Sequence, residues 1–126
     1  FPKKNVLCGI YLCRSLIFLL FLVTPISETT VLIFSAAIGL LWLGTVPLTS
    51  GLVGHIFGTQ HMSMLFGFVF LGHQFGGFLG AWLAGKIFDT FGSYGAMWWL
   101  SIALGLLSAA LHLPIKEQPV RLVDIR

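Results

Sequence analysis

Three polar side chains inside apolar stretches are the strongest candidates for chemistry in this sequence. His73 and Gln74 lie next to each other near the middle of the apolar stretch 63–85, and Arg14 lies near the middle of the stretch 5–23. Polar groups at such positions are costly in a membrane unless they face other protein groups or a water-filled cavity. They are therefore the first residues to which binding or proton transfer can be assigned.

Arg14 is a permanent cation about ten residues into its stretch, which is roughly 15 Å along a helix and close to the midplane of a bilayer. No Asp or Glu occurs at a comparable depth anywhere in the sequence. Two interpretations remain open. Arg14 either stabilises helix packing through an ion pair or backbone carbonyls, or it faces a cavity, where it binds an anion or takes part in coupling.

His73 can exchange a proton near neutral pH and can hydrogen-bond a solute, with Gln74 beside it as an assisting group. The alternative is that His73 only bridges two helices. Trp42, the largest side chain of the stretch 31–53, offers a stacking surface, although a core or interfacial tryptophan is the more common case. We predict that these three residues and Arg14 bind the substrate or couple protons.

The sequence lacks the motifs of metal and hydrolytic enzymes. It contains no H-E-x-x-H, no G-x-S-x-G and no paired acids within an apolar stretch, and its four histidines do not have ligand spacing. Cys8 and Cys13 are five positions apart on different helix faces, so we expect two buried apolar cysteines. We predict that the protein is not an enzyme and has neither a metal site nor a cofactor.

The composition is that of an integral membrane protein. Of 126 residues, 57% are hydrophobic and 9% are charged, against roughly 25% charged residues in a soluble domain. Each helical span needs about 20 apolar residues, so the length allows at most about four or five spans. The net charge of +3 comes mainly from basic residues at the two ends, so nucleic-acid binding is not predicted.

Four apolar stretches predict an all-α fold of four transmembrane helices in the lipid bilayer. The predicted spans are residues 5–23, 31–53, 63–85 and 95–113. The connections are predicted at residues 24–30, 54–62 and 86–94. A tail at 114–126 is expected to lie on the surface or to be disordered.

Two of the predicted helices carry small residues at every fourth position. On the third helix these residues are Gly72, Gly76, Gly80 and Ala84, and on the fourth they are Ser101, Gly105 and Ala109. In a helix such residues form a flat stripe that another helix backbone can approach closely. We predict that both stripes are helix-packing faces.

The basic residues near the span ends predict the orientation. Those on the side of the two termini are Lys3, Lys4, Lys116, Arg121 and Arg126, against Lys86 on the opposite side. Because basic segments remain in the cytoplasm, both termini are predicted to be cytoplasmic. An even number of spans requires the same arrangement of the two ends.

The third and fourth helices contain a recognisable block of residues. An H-Q-x-G-x-F-x-G pattern is formed by His73, Gln74, Gly76, Phe78 and Gly80. A G-x-x-x-D-x-x-G-S-Y pattern follows, with Gly85, Asp89, Gly92, Ser93 and Tyr94. With its surroundings from residue 47 to 107, this block resembles the eleventh helix and the following loop of major facilitator superfamily transporters, near the bacterial monocarboxylate and oxalate/formate porters. The first four residues resemble the basic end of that family's loop between helices eight and nine.

The resemblance implies that the four spans correspond to helices nine to twelve of a twelve-helix fold, so that residues 1–126 are part of its C-terminal half. The start without Met likewise leads us to expect a longer parent protein. That protein would be a secondary transporter of the inner (plasma) membrane, moving a small organic solute by alternating access. Arg14 favours an anionic solute, and a proton is the expected coupling ion.

Two further expectations concern the choice of site residues and the alternative function. In the family fold, helices nine and twelve lie mainly at the periphery, which favours His73 and Gln74 over Arg14 as site residues. The alternative to a transporter is a free-standing four-span structural or accessory membrane protein, in which the small-residue stripes would serve oligomerisation.

Overall fold

The structure, a computed structural model, describes residues 2–120. It consists of four helices in chain order, which are α1 (Lys3–Val23), α2 (Glu28–Phe57), α3 (Met62–Phe91) and α4 (Gly95–His112). Each helix is long and apolar enough to cross a membrane, and no strand occurs among the described residues. The prediction of an all-α membrane protein with four spans is confirmed.

The two central helices are longer than the spans predicted for them. Both α2 and α3 contain 30 residues, whereas about 20 residues suffice to cross a bilayer. As a result, the connection predicted at 54–62 is reduced to residues 58–61, and the one predicted at 86–94 is reduced to residues 92–94. The helical backbone therefore continues through polar positions that were expected to form loops.

Glycines end both long helices. Gly58 follows α2 with φ 79° and Gly92 follows α3 with φ 67°, a backbone conformation that glycine adopts without steric cost. At its start, α2 is capped by Ser27, whose Oγ accepts a hydrogen bond of 3.1 Å from the backbone N–H of Thr30. The bounds of α2 and α3 are thus set by capping and turn residues and not by the points where the apolar stretches end.

Helix α1 is the centre of the bundle. It packs along α4 and less extensively along α2, whereas α3 meets α2 and α4 over short stretches. The buried apolar residues of the described chain are Leu7, Leu52, Val53, Ile102 and Ala109. None of them lies in α3, which has no buried residue.

Small residues form the contact between α1 and α4. Ser15 is 3% exposed, and its Oγ donates a hydrogen bond of 3.2 Å to the backbone carbonyl of Ile102. A Cβ added to Gly105 would meet Ser15 Oγ and, at 3.5 Å, the carbonyl oxygen of Tyr11. The stripe predicted on α4 therefore packs against α1 at Gly105, as expected from its small residues.

Four aromatic rings hold together the end of α1 and the starts of α2 and α4. They belong to Phe18, Phe21, Phe34 and Trp98, and their paired centroids are 4.2 to 5.9 Å apart. Such aromatic pairs contribute about 0.5–1.5 kcal/mol each beyond the burial of their area. Ring packing therefore stabilises this end of the bundle.

The residues after α4 fold back over the opposite end of the bundle. The Glu117 carboxylate accepts a hydrogen bond from the backbone N–H of Lys4, while Lys4 Nζ donates to the carbonyl of Leu113 at 3.1 Å. The backbone N–H of Val120 donates to the carbonyl of Ile56 at 2.8 Å. Residues 114–120, called here the tail segment, thus connect the end of α4 with the start of α1 and the end of α2.

The predicted tail is described only in part. Ile115 and Glu117 are half-buried, and the tail segment follows the surface of the bundle rather than being disordered. Residues 121–126, which include Arg121 and Arg126 of the predicted orientation signal, lie outside the described residues.

Substituting Gly105 tests the α1–α4 contact. Gly105→Val should destabilise the bundle by about 1–3 kcal/mol, because a side chain there must displace Ser15 from its hydrogen bond with Ile102. The matched control is Gly72→Val in α3, since a Cβ added to Gly72 meets nothing within 4 Å. Unfolding in detergent micelles titrated with SDS measures both variants, and equal midpoints would contradict the described contact.

Substituting Glu117 tests the tail segment. The hydrogen bond from the Lys4 backbone, assisted by Lys3 and His55, holds the pKa of Glu117 below its ordinary value of 4.5. The stabilisation is therefore present at neutral pH and is lost as the pH falls below 4.5 through the lowered pKa. Glu117→Gln should lower the unfolding temperature at neutral pH, and its difference from the wild type should shrink in acid. A difference that does not change with pH would contradict the carboxylate's role.

Candidate functional site

One cavity lies between α1, α2 and α3 and has a volume of about 490 Å³; it is called here the central cavity. Arg14, Trp42 and His73 all line it, and each lies near the middle of its helix. Three of the four residues predicted to bind substrate or couple protons are therefore brought together at one depth.

The guanidinium of Arg14 lies against two aromatic rings. Its Cζ is 5.1 Å from the centroid of the Trp42 ring and 5.8 Å from that of the Tyr11 ring. A cation over an aromatic face is stabilised by about 0.5–2 kcal/mol, depending on its desolvation. The carboxylates within residues 2–120 lie at helix ends or in the tail segment, so in this part of the chain Arg14 has aromatic neighbours in place of an ion pair.

The imidazole of His73 also lies close to the Trp42 ring. The centroids of these two rings are 5.5 Å apart, and the Phe70 ring is 6.1 Å from that of His73. The contact with Trp42 joins α3 to α2, which supports a helix-bridging role for His73. It also holds an ionisable ring on the wall of the central cavity, where a solute or a proton can reach it.

Gln74 and most of the predicted stripe on α3 lie apart from this site. Gln74 is exposed and is not part of the cavity wall. A Cβ added to Gly72 or Gly80 meets nothing within 4 Å, Ala84 is half-buried, and Gly76 lines the central cavity. Within the described chain no helix packs on Gly72 or Gly80, so a packing role for this stripe stays a prediction.

Further residues of the cavity wall do not stand out individually in the sequence. They are Tyr11 on α1, Thr45 and Thr49 on α2, and Phe66 and Phe70 on α3. Each is three or seven positions from Arg14, Trp42 or His73 on the same helix, and such positions share a helix face. The sequence feature that could have identified these residues is therefore their helical spacing from Arg14, Trp42 or His73.

The threonine hydroxyls on the cavity wall donate to their own helix. Thr45 Oγ1 donates to the carbonyl of Leu41 at 2.9 Å, and Thr49 Oγ1 donates to the carbonyl of Thr45 at 2.7 Å. Because a hydroxyl has one proton, neither threonine offers a free donor to a solute. Among the described wall residues, N–H donors are therefore carried by the side chains of Arg14, Trp42 and His73.

The described residues do not form a metal centre. Between residues 2 and 120, no group of three or more His, Cys, Asp and Glu side chains is arranged to hold a metal ion. Cys8 is half-buried and Cys13 is exposed. The expectation that both cysteines are buried is therefore wrong, because Cys13 lies on an outward face of α1.

Comparison with known proteins gives no relative for this chain. No family model, no curated protein and no solved structure matches it. The resemblance to the major facilitator superfamily therefore rests on the residues of α3 and α4 quoted above.

Proposed function

We propose that this chain is part of a secondary transporter of the inner (plasma) membrane that moves a small anionic organic solute by alternating access. The observation that supports this function is the meeting of Arg14, Trp42 and His73 on the wall of one cavity near the middle of the helices. Substrate sites of secondary transporters lie at this depth and are built from a few polar groups on neighbouring helices.

Each of the three residues has a distinct role in this proposal. Arg14 binds the anionic group of the solute, since its planar fork of N–H donors matches a carboxylate. Trp42 holds the guanidinium on one side and offers its remaining surface to the solute. His73 binds the coupling proton or hydrogen-bonds the solute. Gln74 does not line the cavity, so this proposal assigns it no part in binding.

The orientation of the proposed transporter follows from the positions of its lysines. Lys4 binds the end of α4 through the carbonyl of Leu113, which supports placing the start of α1 and the end of α4 on one side of the membrane. Lys86 lies near the far end of α3. By the positive-inside rule, the side with Lys3, Lys4 and Lys116 is the cytoplasmic side. The remaining helices of the parent protein would complete the two halves that move around the site.

The uncovered face of α3 favours a second candidate function. None of the residues of α3 is buried, and nothing within the described chain covers Gly72 or Gly80. A free-standing four-span accessory protein would cover this stripe by forming oligomers. Such a protein would not require a cation beside a cavity, so the experiments on Arg14 distinguish the two candidates.

Substitution of Arg14 tests the anion site. In cells that express the whole native gene, Arg14→Gln should abolish the uptake of radiolabelled carboxylates at an unchanged amount of protein in the membrane. Arg14→Lys retains the charge but lacks the paired N–H donors, so uptake should fall by about tenfold. Lys86→Gln is the control, because it removes a cation that lies outside the cavity wall.

Two results would contradict this assignment. Full uptake by Arg14→Lys would exclude paired hydrogen bonding to a carboxylate. If the wild type takes up no member of a broad carboxylate panel, the accessory function would be favoured.

Substitution of His73 tests proton coupling. His73→Ala should reduce uptake and flatten its dependence on pH, because the variant lacks the side chain that is proposed to bind the coupling proton. His61→Ala is the control, because His61 lies in the connection between α2 and α3 and outside the cavity wall. A pH profile that is the same as that of the wild type would leave His73 with the helix-bridging role alone.

A further inference from the structure

We propose that the central cavity selects an arylcarboxylate, which is a solute with a single carboxylate attached to an aromatic body, over short dicarboxylates and small inorganic anions. This inference rests on the proposed transport function and adds the chemical class of the solute. Three properties of the cavity wall support it, namely its charge, its rings and its volume.

The permanent charge on the described cavity wall is the single positive charge of Arg14, which matches one anionic group on a solute. Among the described residues that line the cavity, Arg14 is the permanently charged side chain, and no carboxylate lies beside it. One carboxylate neutralises one guanidinium. A second carboxylate on the same solute would be taken out of water without a partner, which strongly disfavours its binding.

Apart from Arg14 and His73, the described wall offers mainly aromatic surface to a solute. Four aromatic side chains line the cavity, namely Tyr11, Trp42, Phe66 and Phe70. Aromatic rings attract one another at centroid distances of about 4.5–7 Å. Because the threonine hydroxyls donate to their own helix, they do not supply donors for a polar solute body.

The positions of these rings relative to Arg14 allow one molecule to use both features. The Trp42 ring is 5.1 Å from the guanidinium carbon, and the His73 ring follows at 5.5 Å from Trp42. A carboxylate bound by Arg14 therefore brings its attached ring next to Trp42 and His73. A cavity of about 490 Å³ also falls within the range of about 300–1,000 Å³ that is typical of sites for organic ligands.

Calorimetric titration of the purified whole protein with four probes tests this selectivity. Phenylacetate has a ring and one carboxylate, acetate lacks the ring, oxalate has two carboxylates and no ring, and benzyl alcohol has a ring without charge. Phenylacetate should bind at least about tenfold more tightly than acetate, since two aromatic contacts of average strength give such a ratio. Oxalate and benzyl alcohol should bind more weakly than phenylacetate.

Variants of Trp42 separate the ring contact from the charge contact. Trp42→Ala should weaken phenylacetate binding about 3- to 10-fold more than it weakens acetate binding, because acetate has no ring to lose a contact, whereas Trp42→Phe should retain most of the affinity. Trp82→Ala is the matched control, because Trp82 is 55% exposed on α3 and lies outside the cavity wall. Its affinity for phenylacetate should equal that of the wild type.

Some outcomes would contradict the arylcarboxylate class of solute without contradicting the proposed transport function. If acetate or oxalate binds as tightly as phenylacetate and Arg14→Gln abolishes that binding, the ring selectivity is wrong and the anion site remains. Equal affinity of Trp42→Ala and the wild type for phenylacetate also overturns the ring contact. If the folded protein binds none of the probes, the arylcarboxylate class is rejected, and the Arg14-dependent uptake measurement decides separately whether the protein is an anion transporter.

Discussion

A guanidinium near the centre of an apolar helix is the constraint on which the rest of this structure depends. Arg14 cannot lose its charge, so the fold has to provide it with polarisable neighbours and with space for water or an anion. The faces of Trp42 and Tyr11 supply the neighbours, and the central cavity supplies the space. Because α1, α2 and α3 each form part of that cavity, the position of one charged residue links three of the four helices.

The residue that follows Arg14 explains why the cation is held in place. Ser15 lies about 100° further around α1, where it is buried against Ile102 and Gly105 of α4. One side of α1 is thus tightly packed by small residues while the adjacent side carries the charge. The wall of the cavity that belongs to α3 is held more loosely, because that helix buries none of its residues. The site therefore combines a fixed cation with an opposite wall that few contacts restrain.

The sequence predicted the number and type of the helices because each apolar stretch is long enough to cross a bilayer. It also singled out Arg14, Trp42 and His73, which the structure places on one cavity wall, because polar groups at mid-span are costly without protein or water partners. It did not predict which helices pack together. Lipid solvates apolar side chains as well as other helices do, so similar stripes on α3 and α4 gave equal predictions. In the structure, Gly105 and the buried Ala109 of α4 are packed, whereas a Cβ added to Gly72, Gly76 or Gly80 of α3 meets nothing within 4 Å. The long ends of α2 and α3 were missed because Gly58 and Gly92, rather than hydropathy, end them.

The pairing of α1 with α4 has a consequence for how the protein is made. Helix α1 leaves the ribosome before the other three helices, yet its most extensive partner, α4, is the last to emerge. During synthesis Ser15 therefore has no Ile102 carbonyl to bind, and the first turn of α1 has no Glu117 carboxylate to accept its Lys4 N–H. Until α2 has emerged, Arg14 also lacks the Trp42 ring against which its guanidinium lies. The packing of α1 is thus completed only after α4 and the tail segment have emerged, and a ribosome that stalls before α4 leaves the first helix without its most extensive partner.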